Sequence, residues 1–253
     1  AVGDTDHMAG TDRDLFQLFA EYSGRPEDWV RQLAQNYRGI NEQQWAECPG
    51  ETWEERALEF YDRADGYVFD LIHSNKSKAN LIEIYKRWAH WPWFERSGPE
   101  VLEFGGGLGL SCSIMRDLGR KVSYVDIDGS ASRFARWYFE RTGQKDIEVM
   151  LTPAKELVLP EGRQWDFIYS DSVIEHLVDP GGTVETLAKA VKPGGVLYLL
   201  IDAHSVEDGF PMHRHIHIEE LLDESPSLRA MDHVLHDGDG YNVFRGRQPA
   251  LAE

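Results

Sequence analysis

In the first third of the chain, apolar residues recur at intervals of three and four. Leu15, Phe16, Leu18 and Phe19 begin one such stripe, and Trp29, Val30, Leu33, Ala34 and Tyr37 form another after the break at Gly24-Arg25-Pro26. Thr52 followed by Glu55 reads as a capping box opening a helix through Leu58, Phe60 and Tyr61. After Gly66 the pattern resumes over Tyr67–Ile72, and Ser77–Trp88 repeats it through Leu81, Ile84, Tyr85 and Trp88 until Pro92. From Pro99 the period changes. Short apolar runs at 100–104, 121–126, 147–151, 166–170 and 195–201 alternate with helical patterns at 108–118, 130–142, 155–157 and 181–192. Strand–helix alternation of this kind predicts a parallel sheet with helices on both faces. Two more β stretches, Leu228–His236 and Tyr241–Arg247, flank Asp237-Gly238-Asp239-Gly240 and predict a hairpin.

Composition narrows this picture. With 253 residues, the chain has length enough for one α/β core and an added subdomain. The expected division is residues 1–10 as an expression tag or disordered segment (His7-Met8 looks like a cloning junction), 11–97 as a helical lid, and 98–253 as the α/β domain. Two cysteines, Cys48 and Cys112, are too few for a disulfide framework, and no apolar run is long enough to span a bilayer, so a cytoplasmic protein is expected. The balance of 26 Lys and Arg against 44 Asp and Glu gives a net charge of −18. That charge disfavours nucleic acid and anionic membranes as partners. Six of the eight tryptophans lie in the helical leader, where they serve as packing or as an apolar wall over a ligand.

The candidate chemistry centres on Val101-Leu102-Glu103-Phe104-Gly105-Gly106-Gly107-Leu108-Gly109, a strand ending in an acid and a glycine turn that leads into a helix. The dinucleotide fingerprint G-x-G-x-x-G read from Gly105 needs a third glycine at position 110, where Leu110 stands. Nineteen residues beyond Gly107, the next strand ends at Asp126. Neighbouring parallel strands bring both tips to one sheet edge, where Asp126 suits a ribose diol; the alternative is that it caps the following turn, with Asp128 or Ser130 competing for that place.

Glu103 with glycines at 105, 107 and 109 resembles motif I of the class I S-adenosylmethionine-dependent methyltransferases. Trp165 to Leu177 resembles the fourth-strand segment of the small-molecule members, and Lys192-Pro193-Gly194-Gly195 matches the turn before their fifth strand. The resemblance covers residues 99–247 and implies a Rossmann-like, doubly wound seven-stranded α/β sheet, mostly parallel with an antiparallel terminal strand. It implies S-adenosylmethionine as cofactor, held by Glu103, Gly105, Gly106, Gly107, Asp126, Ile127, Ala154, Ser170 and Asp171. Ala154 contributes a backbone amide, because Pro153 stands where the family often has an adenine-binding acid. Ser170 and Asp171 would hold the ammonium.

The expected activity is methyl transfer to oxygen, nitrogen or carbon of a small-molecule acceptor, as in natural-product tailoring. A peptide or protein methyltransferase docking through the leader and a non-catalytic cofactor-binding module are the alternatives. His204 and His176 are the candidate catalytic residues, His204 beside Asp202 after strand five and His176 after strand four, where a structural helix-start role competes. Alternate residues of Met212-His213-Arg214-His215-Ile216-His217 share a face when extended, but structure or acceptor contact is the default there, and no metal is assigned.

Overall fold

A computed structural model describes residues 14–75, 92–201, 210–236 and 240–247. The helix expected over 77–88, Asp202, His204 and most of the Asp237–Gly240 turn lie outside the described residues. The leader forms α1 (Leu15–Ser23), α2 (Glu27–Gln35), α3 (Tyr37–Glu47), α4 (Trp53–Arg63), α5 (Tyr67–Asn75) and the short α6 (Pro92–Arg96). The capping box at α4 is present in both directions: Glu55 N–H donates to Thr52 Oγ1 at 3.2 Å, and the Glu55 carboxylate accepts from Thr52 N–H at 3.4 Å.

Seven strands follow in the order β3-β2-β1-β4-β5-β7-β6. They are β1 (Glu100–Phe104), β2 (Lys121–Ile127), β3 (Glu148–Thr152), β4 (Trp165–Asp171), β5 (Val191–Leu200), β6 (Asp232–His236) and β7 (Tyr241–Arg245). Strands β1 to β5 are mutually parallel, and β7 inserts antiparallel between β5 and β6. The expected α/β class and antiparallel terminal strand therefore hold. The helices of this part are α7 (Leu110–Asp117), α8 (Ser130–Arg141), α9 (Pro180–Lys189), α10 (Ile218–Glu224) and α11 (Pro226–Arg229).

Two local expectations are corrected. Residues 155–157 form a turn: Thr152 Oγ1 accepts from Val158 N–H at 2.9 Å and donates to Glu156 O at 3.0 Å, taking backbone groups that a helix would use. The strand expected from Leu228 begins at Asp232, because Ser225-Pro226 opens α11 first, with Ser225 Oγ accepting from Leu228 N–H at 3.1 Å.

The strands' period-two pattern assigns each sheet face its own core. Val101, Tyr124, Phe167 and Tyr198 pack with Phe19, Val30, Phe69 and Ile72 of the leader and Phe134 of α8. Their neighbours Leu102, Val125, Ile168 and Leu197 pack with Val184, Leu221 and Leu228 on the other face. The leader thus shares a continuous core with the sheet. Each fully buried aliphatic side chain in it contributes roughly 1.5–3 kcal/mol.

Candidate active site

The order β2-β1-β4 creates a switch point: the connection after β1 leads to one side of the sheet, and the strand on its other side is β4. Open parallel sheets bind ligands in the crevice beyond the strand C-termini at such a point. A cavity of about 560 Å³ lies there. One half is built from the strand tips and their loops: Glu103, Gly105, Gly106, Gly107, Asp126, Ile127, Ala154, Asp171 and His176 all line it. The other half comes from the leader, through Tyr37 and Arg38 of α3, Tyr61 of α4, and Tyr67, Asp70 and Leu71 of α5. Phe210 and His213 complete this second wall.

The glycine loop is held from beneath. A Cβ on Gly106 would come 2.4 Å from the Tyr124 ring, and one on Gly109 would come 2.5 Å from Phe139. Their backbones must therefore lie against those rings. Gly105 and Gly106 N–H both donate to Val125 O, at 2.8 and 3.2 Å, and Gly109 N–H donates to Gly106 O at 2.8 Å. Gly107 N–H donates to Asp126 Oδ2 at 2.7 Å. Four loop amides are thus engaged internally, so they do not offer the ready donors on which a diphosphate would sit.

Asp126 is tied to this loop. Its Oδ1 accepts from Ile127 N–H at 2.7 Å, while Oδ2 also faces the Tyr124 hydroxyl at 3.2 Å. The capping alternative fails, since Gly129 occupies the N-cap of α8 and its N–H donates to Ser132 Oγ at 3.0 Å. Burial raises the Asp126 pKa, and the two backbone donors oppose that shift. Glu103 is buried and accepts a hydrogen bond from the Cys112 thiol at 2.8 Å. Burial pushes its pKa up to about 8, against opposing hydrogen bonds from Cys112 and Ser111.

At the tip of β4 the two expected residues diverge. Asp171 lines the cavity, with its oxygens accepting from the Tyr169 hydroxyl at 2.5 Å and from Ser172 Oγ at 2.9 Å. Ser170 is fully buried, and its hydroxyl has no hydrogen-bond partner among the described residues. It is absent from the cavity wall. Ser172 adopts φ +54, uncommon for a non-glycine residue, at the mouth of the site.

His176 lies in a short 3₁₀ turn (Ile174–His176) and meets the leader directly. Its Nδ1 is 2.5 Å from the Tyr61 hydroxyl and its Nε2 is 3.3 Å from that of Tyr67. Burial, reinforced by nearby His213, lowers its pKa well below the ordinary histidine value. The imidazole is therefore neutral at neutral pH, with one nitrogen donating and one accepting. Burial also raises Tyr61, so the phenol keeps its proton. Asp70 is pushed up to about 6 by burial and accepts from Asn41 at 3.1 Å and Ser74 at 3.3 Å.

The three histidines do not converge on one point, although the rings of His215 and His217 lie 4.5 Å apart. His213 is buried against His176, with ring centroids 4.3 Å apart, whereas His215 and His217 are exposed. Among the described residues no group of three potential metal ligands is assembled. None of the described leader tryptophans lines the cavity: Trp53 donates to Pro211 O at 3.0 Å and Trp45 is buried, and among the described residues the aromatic wall is made of tyrosines and Phe210. Tyr61, Tyr67, Arg38 and Asp70 were not marked by any motif; Tyr61 and Tyr67 fall within the helical patterns of α4 and α5, and Arg38 of α3 and Asp70 of α5 carry no sequence signal. Among the described residues no helix is long and apolar enough to cross a membrane.

A family profile described as a methyltransferase domain matches residues 77–248, more than half of the chain. Relatives include the ubiquinone biosynthesis O-methyltransferase of Thiobacillus denitrificans, 29% identical over 102 residues, 40% of this chain and 44% of that protein. Its namesake from Bordetella avium is 31% identical over 101 residues, covering 40% and 42%. The match thus spans less than half the length of these relatives. An O-methyltransferase family protein from Burkholderia thailandensis shares the fold, with a TM-score of 0.54 at 14% identity over 79% of this chain and 64% of that one. Strand order and glycine loop are common to several nucleotide-binding families, and the domain match decides among them: the chain belongs to the class I S-adenosylmethionine-dependent methyltransferases.

Proposed function

We propose that this chain transfers a methyl group from S-adenosylmethionine to an oxygen atom of a small-molecule acceptor. The observation that carries the reading is one cavity with two unlike walls, a glycine-loop wall with Asp126 and a tyrosine–histidine wall from the leader. The cofactor's charge suits the first wall. Asp126 and Asp171 line it together with Glu103, a carboxyl that ionises when a cation binds, and a sulfonium with an ammonium is attracted where a dinucleotide diphosphate is repelled. Gly107, at φ +51, leaves open the space that a Cβ would fill opposite Leu71. When bound, the cofactor supplies an electrophilic methyl carbon on sulfur.

The chain's own residues do the rest. Of the roughly four lone-pair sites on the Asp126 carboxylate, Gly107 and Ile127 take two, and the single Tyr124 hydroxyl proton lies nearer Gly107 O, at 2.8 Å, leaving two sites to accept from a ribose diol. The Ala154 amide serves the adenine, and Asp171 the ammonium. On the second wall we assign proton acceptance to His176 Nε2, whose 3.3 Å contact to the Tyr67 hydroxyl is the longer of its two and gives way to an acceptor hydroxyl, while Tyr61 fixes the ring at Nδ1. Its depressed pKa makes it a weak base, so positioning carries the larger share of the rate. The oxygen specificity is supported by the O-methyltransferase names of the relatives.

Calorimetric titration with S-adenosylmethionine, S-adenosylhomocysteine and NAD tests the first wall; both sulfur nucleotides bind and NAD does not. Asp126→Ala weakens both by about tenfold or more through loss of the diol contact. Unchanged affinity in that variant would sink the ribose assignment. A screen of phenolic acceptors with methyl-labelled cofactor tests the second wall, and label appearing only on peptide substrates would redirect the reading to protein methylation.

A further inference from the structure

Arg38 stands out on the leader's side of the cavity. Its Nε donates to the Tyr37 hydroxyl at 3.1 Å, and its guanidinium lies over the Phe210 ring at 4.8 Å. Among the described residues the Nη nitrogens form no hydrogen bond and no ion pair, although Arg31, Arg116, Arg133, Arg141 and Arg163 each pair with a carboxylate. Asp70 acts on Arg38 only at longer range and takes its hydrogen bonds from Asn41 and Ser74. The result is an exposed guanidinium over an aromatic ring at the cavity wall, its Nη donors engaged by none of the described residues, in a protein of net charge −18.

The wall beyond Arg38 is continuous. Phe210 stacks on His213 with centroids 4.9 Å apart, and His213 meets His176 edge-on at 4.3 Å. Arg38 and His176 therefore mark two ends of one aromatic surface, a cation at one and the proposed proton acceptor at the other. A planar acceptor lying along that surface presents its hydroxyl to His176 only if its far end suits Arg38. A planar guanidinium fork matches a carboxylate or similar oxyanion in two parallel hydrogen bonds.

Resting on the methyltransferase reading above, we infer that the acceptor carries an anionic oxygen group, a carboxylate or its equivalent, which Arg38 grips while the hydroxyl to be methylated lies by His176. Arg38 is then a specificity-determining residue for the acceptor. The same guanidinium chemistry would also suit the carboxylate of the cofactor, and the experiment separates the two sources.

The probes are 4-hydroxybenzoate, 3,4-dihydroxybenzoate and 4-hydroxycinnamate, each paired with its methyl ester and titrated into protein saturated with S-adenosylhomocysteine. Among these the expected result is an acid bound about tenfold more tightly than its ester by the wild type. Arg38→Gln abolishes that preference, and Arg38→Lys retains part of it. The affinity of S-adenosylhomocysteine itself stays the same in both variants. The inference is overturned if no acid is preferred by the wild type, or if the preference survives Arg38→Gln. It is equally overturned if S-adenosylhomocysteine binding weakens in Arg38→Gln, since the guanidinium then holds the cofactor. Failure of the wild type to bind S-adenosylhomocysteine at all would instead strike the methyltransferase reading.

Discussion

Replacing Glu103 with glutamine keeps the shape of the cavity floor and removes its titrating proton. The folded pKa of about 8 compares with an ordinary value of 4.5, so the native state holds this proton more tightly than the unfolded chain. Between those two values the native state binds more protons, and stability falls as pH rises; above the folded value the loss is complete. From pH 6 to pH 9, this single carboxyl lowers the unfolding free energy by about 2–3 kcal/mol. Urea unfolding of the ligand-free wild type and Glu103→Gln at both pH values measures it, because titrating groups not coupled to Glu103 cancel in the difference. The variant gains that amount relative to the wild type at pH 9. Parallel stability profiles would refute the assignment of a buried, protonated Glu103. A bound cation favours the carboxylate, so saturation with S-adenosylmethionine narrows the gap between the two proteins at high pH.

The same linkage is visible in binding: at pH 7 a carboxyl of pKa about 8 is roughly nine-tenths protonated, so S-adenosylmethionine binding releases a proton, read by calorimetry in buffers of different ionisation enthalpy. Tyr61→Phe removes the hydroxyl 2.5 Å from His176 Nδ1; turnover falls about tenfold and its pH profile moves, with cofactor affinity unchanged. An unmoved profile would leave Tyr61 as packing alone. Gly106→Ala puts a Cβ against the Tyr124 ring and destabilises the fold by about 1–3 kcal/mol, read by thermal unfolding.

The first wall of the cavity was legible because it is local. Glu103, the glycines and Asp126 sit within 24 residues, and each type is forced by backbone geometry or by its position at a strand tip. Ser170 shows the limit of that reasoning: side chains alternate along a strand, and its direction at the tip of β4 is into the core. The second wall was not legible. Tyr61 reaches His176 across 115 residues of chain and Tyr67 across 109, contacts that only the shared core of leader and sheet creates. Helical periodicity marks which face of α4 and α5 is apolar, but a tyrosine on that face reads as packing until its hydroxyl finds a partner. The tryptophans drew attention by size, yet Trp45 and Trp53 pack against other parts of the leader and the 210–212 segment.

The separation of the two walls bears on how such a protein acquires new chemistry. Residues of the strand tips hold one side of the cavity, and α3, α4 and α5 supply much of the other. On the proposed assignment of the two walls, substitutions on those helices that spare the core-facing stripe alter the acceptor's surroundings while leaving the glycine loop and its hydrogen bonds to Val125 and Asp126 untouched. Cofactor use and acceptor choice are thereby separately mutable, and a lineage is free to explore acceptors without first losing its methyl donor.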